Sequence, residues 1–187
     1  VENGALVLPD GMCYRLLVLP ADRTMPLTTL QEVERLVKAG AAVSGPKPSR
    51  VPGLTNFPHN DQKLQTLADR IWGDCDGKLT TDAPFGKGRL FCGNPLAQIL
   101  LGLDVPAAVR FTEANSAARG MEFNHRIDQG TEIYFISNQE DCYREVTASF
   151  RTTGLRPFFC DPDTGTTEPV SVFEERDGRT LIPLRLD

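Results

Sequence analysis

The chain has 187 residues, with 20 Lys and Arg against 25 Asp and Glu, for a formal net charge of −5. Its basic residues are scattered, which argues against a nucleic-acid partner, because such a partner needs a concentrated basic face. Hydrophobic residues make up 40% of the chain, enough for a packed core, and no apolar run approaches the roughly 20 residues that would make a membrane partner. Gly11 opens a turn into the apolar run Tyr14–Leu19, which reads as a buried strand closed by Pro20. Thr29 and Glu32 have capping-box spacing. Leu30, Val33, Leu36 and Val37 then repeat at helical spacing, and Gly40 is a C-terminal stop. Ala41–Ser44 is a second short strand. Residues 45–58 hold four prolines and two glycines, so a loop is expected. Asn60 or Asp61 is placed to cap a second helix, whose stripe is Leu64, Leu67, Ala68, Ile71 and Trp72, ended by Gly73. Arg89–Cys92 reads as a third strand. Asn94 and Pro95 read as cap and first position of a third helix with Leu96, Ile99, Leu100 and Leu103 inward.

The order β-α-β-α-β-α predicts an α/β domain over residues 1–112, with right-handed crossovers placing helices on both faces of a parallel sheet. Three strands fall short of the roughly five of a flavodoxin-like sheet, so further strands are expected outside the segment. Residues 113–120 are small and polar and read as a linker. From Met121 the pattern changes to short strands: Glu122–Arg126, Thr131–Asn138, Glu145–Phe150, Leu155–Cys160, Val170–Glu174 and Thr180–Leu186. Turn signals such as Asp128-Gln-Gly130 and Asp177-Gly178 separate them. Residues 121–187 are therefore expected to form an antiparallel β-sandwich.

The five cysteines lack any C-x-x-C spacing, and only two histidines accompany them, so no zinc site is expected. Free thiols filling the core are the expected state, with one disulfide as the alternative in an exported protein. Nothing in the sequence calls for a cofactor. Gly86-Lys-Gly88 precedes a strand instead of following one, so it is a turn and not a phosphate loop. Trp72 belongs to an apolar helical stripe and is expected in the core.

Several blocks carry a specific resemblance when taken in order. They are Leu8-Pro-Asp-Gly-Met-Cys-Tyr-Arg-Leu-Leu-Val-Leu-Pro20, Leu36 to Pro58, Leu67-Ala-Asp-Arg-Ile-Trp-Gly73, Gly86-Lys-Gly-Arg-Leu-Phe-Cys-Gly93, Asn124-His-Arg126, Ile133 to Gln139, Ala148-Ser-Phe-Arg151 and Asp161-Pro-Asp-Thr-Gly165. In these blocks the chain resembles a region downstream of the catalytic barrel in glycoside hydrolase family 106, the α-L-rhamnosidases. It departs from that pattern at Phe158-Phe-Cys160, where a Leu-Trp-like pair is expected before Asp161. The resemblance implies an upstream (β/α)₈-like catalytic barrel as partner, a glutamine-amidotransferase-like α/β domain over residues 1–112, and a β-rich domain after it. It implies a rhamnose-containing glycan as the parent enzyme's ligand. The location is left unknown by the sequence, with a periplasmic or secreted bacterial protein as the option to test. A barrel needs about 250 residues by itself, so no catalytic residue is carried over.

Glycosidase chemistry requires two carboxylates flanking the scissile bond. Glu113, Glu122 and Asp128 are candidates, each also readable as a solvated surface group. Asn124, His125 and Arg126 form the most suggestive polar cluster, because His and Arg both hydrogen-bond sugar hydroxyls and the cluster precedes a tight turn; the alternative is a structural histidine beside a surface arginine. They are the expected substrate-binding residues. Cys92 lies between a strand and a helix, as a nucleophile does in an elbow, but such a cysteine needs a histidine base, and only His59 and His125 are available. The leading expectation is an accessory portion of a rhamnosidase-like enzyme, inactive alone. The alternatives are a stand-alone carbohydrate-binding module and a cysteine-dependent amidase or transferase.

Overall fold

The computed structural model describes residues 1–114 and 116–186. Two units, Val1–Val105 and Pro106–Asp187, are each folded around their own core.

The first unit contains β1 (Leu6–Val7), β2 (Cys13–Tyr14), β3 (Leu17–Val18), α1 (Leu27–Ala39), β4 (Ala42–Ser44), α2 (His59–Trp72), β5 (Asp82–Phe85), β6 (Gly88–Phe91) and α3 (Leu96–Gly102). Its main sheet has the order β3-β4-β6-β5. Strands β3, β4 and β6 are parallel, and β5 is antiparallel to β6. The pleat of the central pair sorts the core. Val43 lies opposite Leu90 and joins Leu30, Val37, Leu64 and Trp72 from α1 and α2. Ala42 and Phe91 join Ile99 of α3 in a second cluster on the other face. Helices therefore cover both faces of the sheet.

Four sequence expectations are corrected here. The run Tyr14–Leu19 is not one buried strand. It bends at Arg15, whose Nη2 donates to Leu103 O at 3.1 Å, and β2 pairs with β1 while β3 joins the main sheet. The sheet has a fourth strand, β5, between α2 and β6, where the sequence reading places no strand; its Pro84 lies on an edge, the position in a sheet where proline is tolerated. Among the described residues, α1, α2 and α3 have no side-chain cap, because Pro26, Pro58 and Pro95 occupy the N-cap positions. The polar groups expected there are engaged elsewhere. Glu32 pairs with Arg35 within α1 at 2.7 Å, while Asp61 and Asn94 engage neighbouring segments: Asp61 accepts the Val51 N–H at 2.8 Å and Asn94 donates to Thr81 Oγ1 at 3.1 Å.

The fourth correction concerns the cysteines. Cys75 and Cys92 form a disulfide with Cα atoms 6.3 Å apart, tying the segment after α2 to the end of β6. Cys13, Cys142 and Cys160 are free but exposed, so they do not fill the core. Turn and helix stops follow the expected chemistry. Gly40 ends α1 in the left-handed region at φ 119°. Gly86 turns the β5–β6 hairpin at φ 61°, where a Cβ would lie 2.6 Å from Lys38 Cα. Trp72 is fully buried and donates from Nε1 to Gly45 O at 3.1 Å.

The second unit contains β7 (Val109–Glu113), β8 (Ser116–Ala117), β9 (Met121–Asp128), β10 (Thr131–Asn138), β11 (Arg144–Phe150), β12 (Phe158–Cys160), β13 (Thr167–Pro169), β14 (Glu174–Arg176) and β15 (Arg179–Leu186). A five-stranded antiparallel sheet has the order β14-β15-β11-β7-β8. The β9–β10 and β12–β13 hairpins are separate two-stranded sheets. Val109, Val146, Ala148, Phe150, Ile182 and Leu184 form the core, and Met121, Tyr134 and Ile136 of the β9–β10 hairpin pack against it. Residues expected as a linker belong instead to this sheet: Glu113 ends β7, and Ser116 and Ala117 form β8. Asn115 of that segment lies outside the described residues. Small polar residues mislead here because a short edge strand needs backbone pairing more than apolar side chains.

Replacing Cys75 by Ser removes a cross-link spanning 17 residues. On the chain-entropy account this costs about 3 kcal/mol. Urea unfolding should show the loss, and the same loss should follow when the wild type is reduced with dithiothreitol.

Candidate functional site

Strands β9 and β10 are joined by Gln129 and Gly130, which take φ of 47° and 84°. Two central residues with positive φ match the twist of a two-residue hairpin. The turn sets the register: Thr131 pairs with Asp128, Ile133 with Arg126, Tyr134 with His125 and Phe135 with Asn124. Successive side chains then alternate between faces.

This alternation separates the three predicted substrate-binding residues. His125 is half-buried on the face toward the core, with its ring stacked on Tyr134 at 4.3 Å between centroids and 2° between planes. Tyr134 packs against Phe150 at 4.8 Å. His125 Nε2 hydrogen-bonds Glu132 Oε2, and the Tyr134 hydroxyl donates to the same oxygen at 3.4 Å. Burial, then the Glu132 charge, raises the Tyr134 hydroxyl above the usual tyrosine pKa. Asn124 and Arg126 point the other way and are exposed. Beside them stand Phe135 and Ile133, at 57% and 48% exposure. The structure thus makes two arrangements from one tripeptide: an inward His125–Glu132–Tyr134 cluster and an outward Asn124–Arg126–Phe135 surface. Glu132, Tyr134 and Phe135 were not singled out in the sequence, although counting outward from the Gln129–Gly130 turn gives their pairing.

The carboxylate candidates do not form a pair. Glu122 and Asp128 lie at opposite ends of β9, six residues apart, or about 20 Å at the rise of a strand. A glycosidase pair needs roughly 5–10 Å. Glu113 is engaged by Arg144, a residue only 7% exposed, through contacts of 2.5 and 3.3 Å. Arg144 also donates to Arg119 O. The Arg144 hydrogen bonds hold the Glu113 carboxyl below its usual pKa. Cys92 cannot act as a nucleophile in this state, because its sulfur is in the disulfide with Cys75 and the residue is buried. That overturns the cysteine-dependent amidase or transferase alternative. Among the described residues, no three His, Cys, Asp or Glu side chains are grouped to hold a metal ion.

Two predictions follow from these contacts. Because Glu113 binds its proton less readily when folded, its contribution to stability is complete above the ordinary glutamate pKa and is lost as pH falls through the lowered value. Urea midpoints should therefore fall on acidification below about pH 4.5, and Glu113→Gln should flatten that slope. His125→Ala removes an aromatic stack worth about 1 kcal/mol and leaves half-buried Glu132 with only the long Tyr134 hydroxyl contact. Its urea midpoint should drop more than that of Asn124→Ala, whose side chain is exposed.

The sequence profile of glycoside hydrolase family 106, described as alpha-L-rhamnosidase, matches residues 1–174. A protein of Formosa agariphila named "Putative beta-glucuronidase" is 31% identical over the whole chain, which spans 15% of that protein. The structure of a rhamnosidase from Novosphingobium sp. PP1Y superposes on the whole chain with a TM-score of 0.82 and 32% identity, and the chain covers 17% of it. The chain accordingly spans about one sixth of the relatives it matches, and it belongs to glycoside hydrolase family 106, the alpha-L-rhamnosidase family.

Proposed function

We propose that this chain is an accessory portion of a rhamnosidase-like glycoside hydrolase, supporting a catalytic barrel carried elsewhere in the parent enzyme. The observation that carries this reading is the coverage: all of the chain aligns with only 17% of a rhamnosidase. The lack of a carboxylate pair on β9 supports it. In this reading the first unit is a partial amidotransferase-like or flavodoxin-like three-layer α/β domain, supported by parallel β3, β4 and β6 with helices on both faces. The second unit is sandwich-like, supported by the β9–β10 hairpin packed over the five-stranded sheet. Asn124 and Arg126 contribute to the rim of the sugar pocket, and His125 holds their strand against the sheet. The parent substrate is a glycan with rhamnosyl linkages. The Cys75–Cys92 disulfide supports an oxidising compartment, periplasmic or extracellular.

A second reading, a stand-alone carbohydrate-binding module, is favoured by Phe135, whose exposed ring stands opposite Asn124. Such a ring next to hydrogen-bonding side chains suits a sugar face. Calorimetric binding of L-rhamnose that disappears in Phe135→Ala would establish it.

The accessory reading is tested by assaying the purified chain with p-nitrophenyl α-L-rhamnopyranoside. No release above the buffer rate is expected. Turnover that a single Glu→Gln or Asp→Asn substitution removes would overturn the reading, because it would place the catalytic pair inside this chain.

A further inference from the structure

The face of the five-stranded sheet opposite the core carries an unusual charge arrangement. Register places Arg110 of β7 opposite Ser149 of β11, and Ser149 opposite Leu181 of β15. Arg151 follows β11 immediately and is fixed by its N–H to Ala108 O at 2.8 Å. Arg179 opens β15 and reaches back across the sheet, donating from Nε to Ser149 Oγ at 2.8 Å. With Arg176 and Asp177 these residues line a concavity of about 470 Å³. Four guanidiniums thus face one carboxylate, in a chain whose net charge is −5.

The partners of these arginines matter more than their number. Arg179 is half-buried and donates to the carbonyls of Ala107, Ala108 and Ser149. Arg151 donates from Nη1 to Pro106 O at 2.6 Å. These acceptors satisfy hydrogen bonds but do not neutralise charge. Arg110 is exposed, and among the described residues it forms no ion pair, nor do Arg151 and Arg179. Arg176 alone meets carboxylates, at 3.7 Å from Glu174 and 3.8 Å from Asp177. Burial, then the charges of Arg110 and Arg151, hold the Arg179 guanidinium below its usual pKa, as unrelieved repulsion between like charges would. The Ser149 hydroxyl accepts from Arg179, which leaves its own proton free to donate.

An anchored guanidinium, further guanidiniums without carboxylate partners beside it and a hydroxyl donor make an acceptor-seeking site that matches the planar or tetrahedral face of an oxyanion. The volume lies within the range of small-ligand sites. We propose that this concavity binds an oxyanion borne by a sugar, the carboxylate of a uronic acid or a sulfate ester, with Arg110, Arg151 and Ser149 as the ligating groups and Arg179 as the fixed anchor. The inference rests on the glycan-linked reading above for the sugar, and on the arginine geometry for the charge.

Calorimetric titration of the whole chain tests it, with sodium D-glucuronate, inorganic sulfate and D-glucose as probes. Glucose is the neutral counterpart of glucuronate and lacks only the carboxylate. Glucuronate or sulfate should bind with a dissociation constant on the order of 1 mM, the scale for a ligand of that size, and glucose should not. Arg110→Ala should weaken binding about tenfold, because one charge-assisted contact is lost. Arg110→Lys should retain much of the affinity, and the thermal midpoints of both variants should stay at the wild-type value because Arg110 is exposed and unpaired. Glucuronate binding that fades as the pH falls into the carboxylate range, with sulfate binding persisting, assigns each signal to its own oxyanion. Glucose binding as strong as that of glucuronate, or anion binding unchanged in Arg110→Ala, would overturn the proposal, as would no binding by either anion. Rhamnoside turnover by the isolated chain would end the accessory reading and leave these titrations standing. A null titration would do the reverse.

Discussion

A β-strand sends successive side chains to opposite faces, and in this chain that single constraint sorts the core from every candidate site. In β4, Val43 enters the α1–α2 side while Ala42 enters the α3 side. Strands β7, β11 and β15 send Val109, Phe150 and Ile182 into the core. The residues between them, Arg110, Ser149 and Leu181, are left on the other face. The same alternation in β9 divides His125 from Asn124 and Arg126. A one-residue slip of any of these strands would exchange its buried and exposed sets, so the positions of the polar groups are held by the burial of the apolar ones.

The two units use this constraint with different supports. In the first, short parallel strands have little pairing of their own, and the buried faces of α1 and α2 fix them through Leu30, Val37, Leu64 and Trp72. The Cys75–Cys92 disulfide adds a covalent tie at the end of the sheet. In the second, long antiparallel strands pair extensively, and polar anchors complete the edges. Arg144 draws in Glu113 and Arg119, while Arg179 draws in the start of β7 and the end of β11. Tyr134 and His125 seat the hairpin on Phe150. Arginine suits both anchoring positions, since its fork of N–H donors engages several acceptors at once.

Several large apolar side chains are exposed in this chain. Ile133, Phe135, Phe158, Phe173 and Val172 are each between 41% and 68% exposed. Exposed apolar side chains at this density mark surfaces that meet something else, and the chain spans about one sixth of its relatives. Family membership is shown for this chain. The role of this segment rests on its own residues, among which the hairpin surface and the arginine concavity are the ones with chemistry to offer.

Local sequence by itself determined the elements whose signals are short-range. The stripe Leu64–Trp72, the stop at Gly40 and the strand Thr131–Asn138 were legible because helical period, left-handed glycine and a β-branched and aromatic run bounded by turn signals act within a few residues. The ordered blocks also carried the family. Tertiary structure decided the rest. Whether Cys75 and Cys92 meet depends on where α2 ends relative to β6. Pro26, Pro58 and Pro95 took the cap positions, while Asp61 and Asn94 were engaged by neighbouring segments. The small polar residues around Ser116 became a strand because β7 offered a free edge. The arginine concavity was invisible in one dimension, since Arg110, Arg151 and Arg179 are separated by tens of residues and brought together only by strand register.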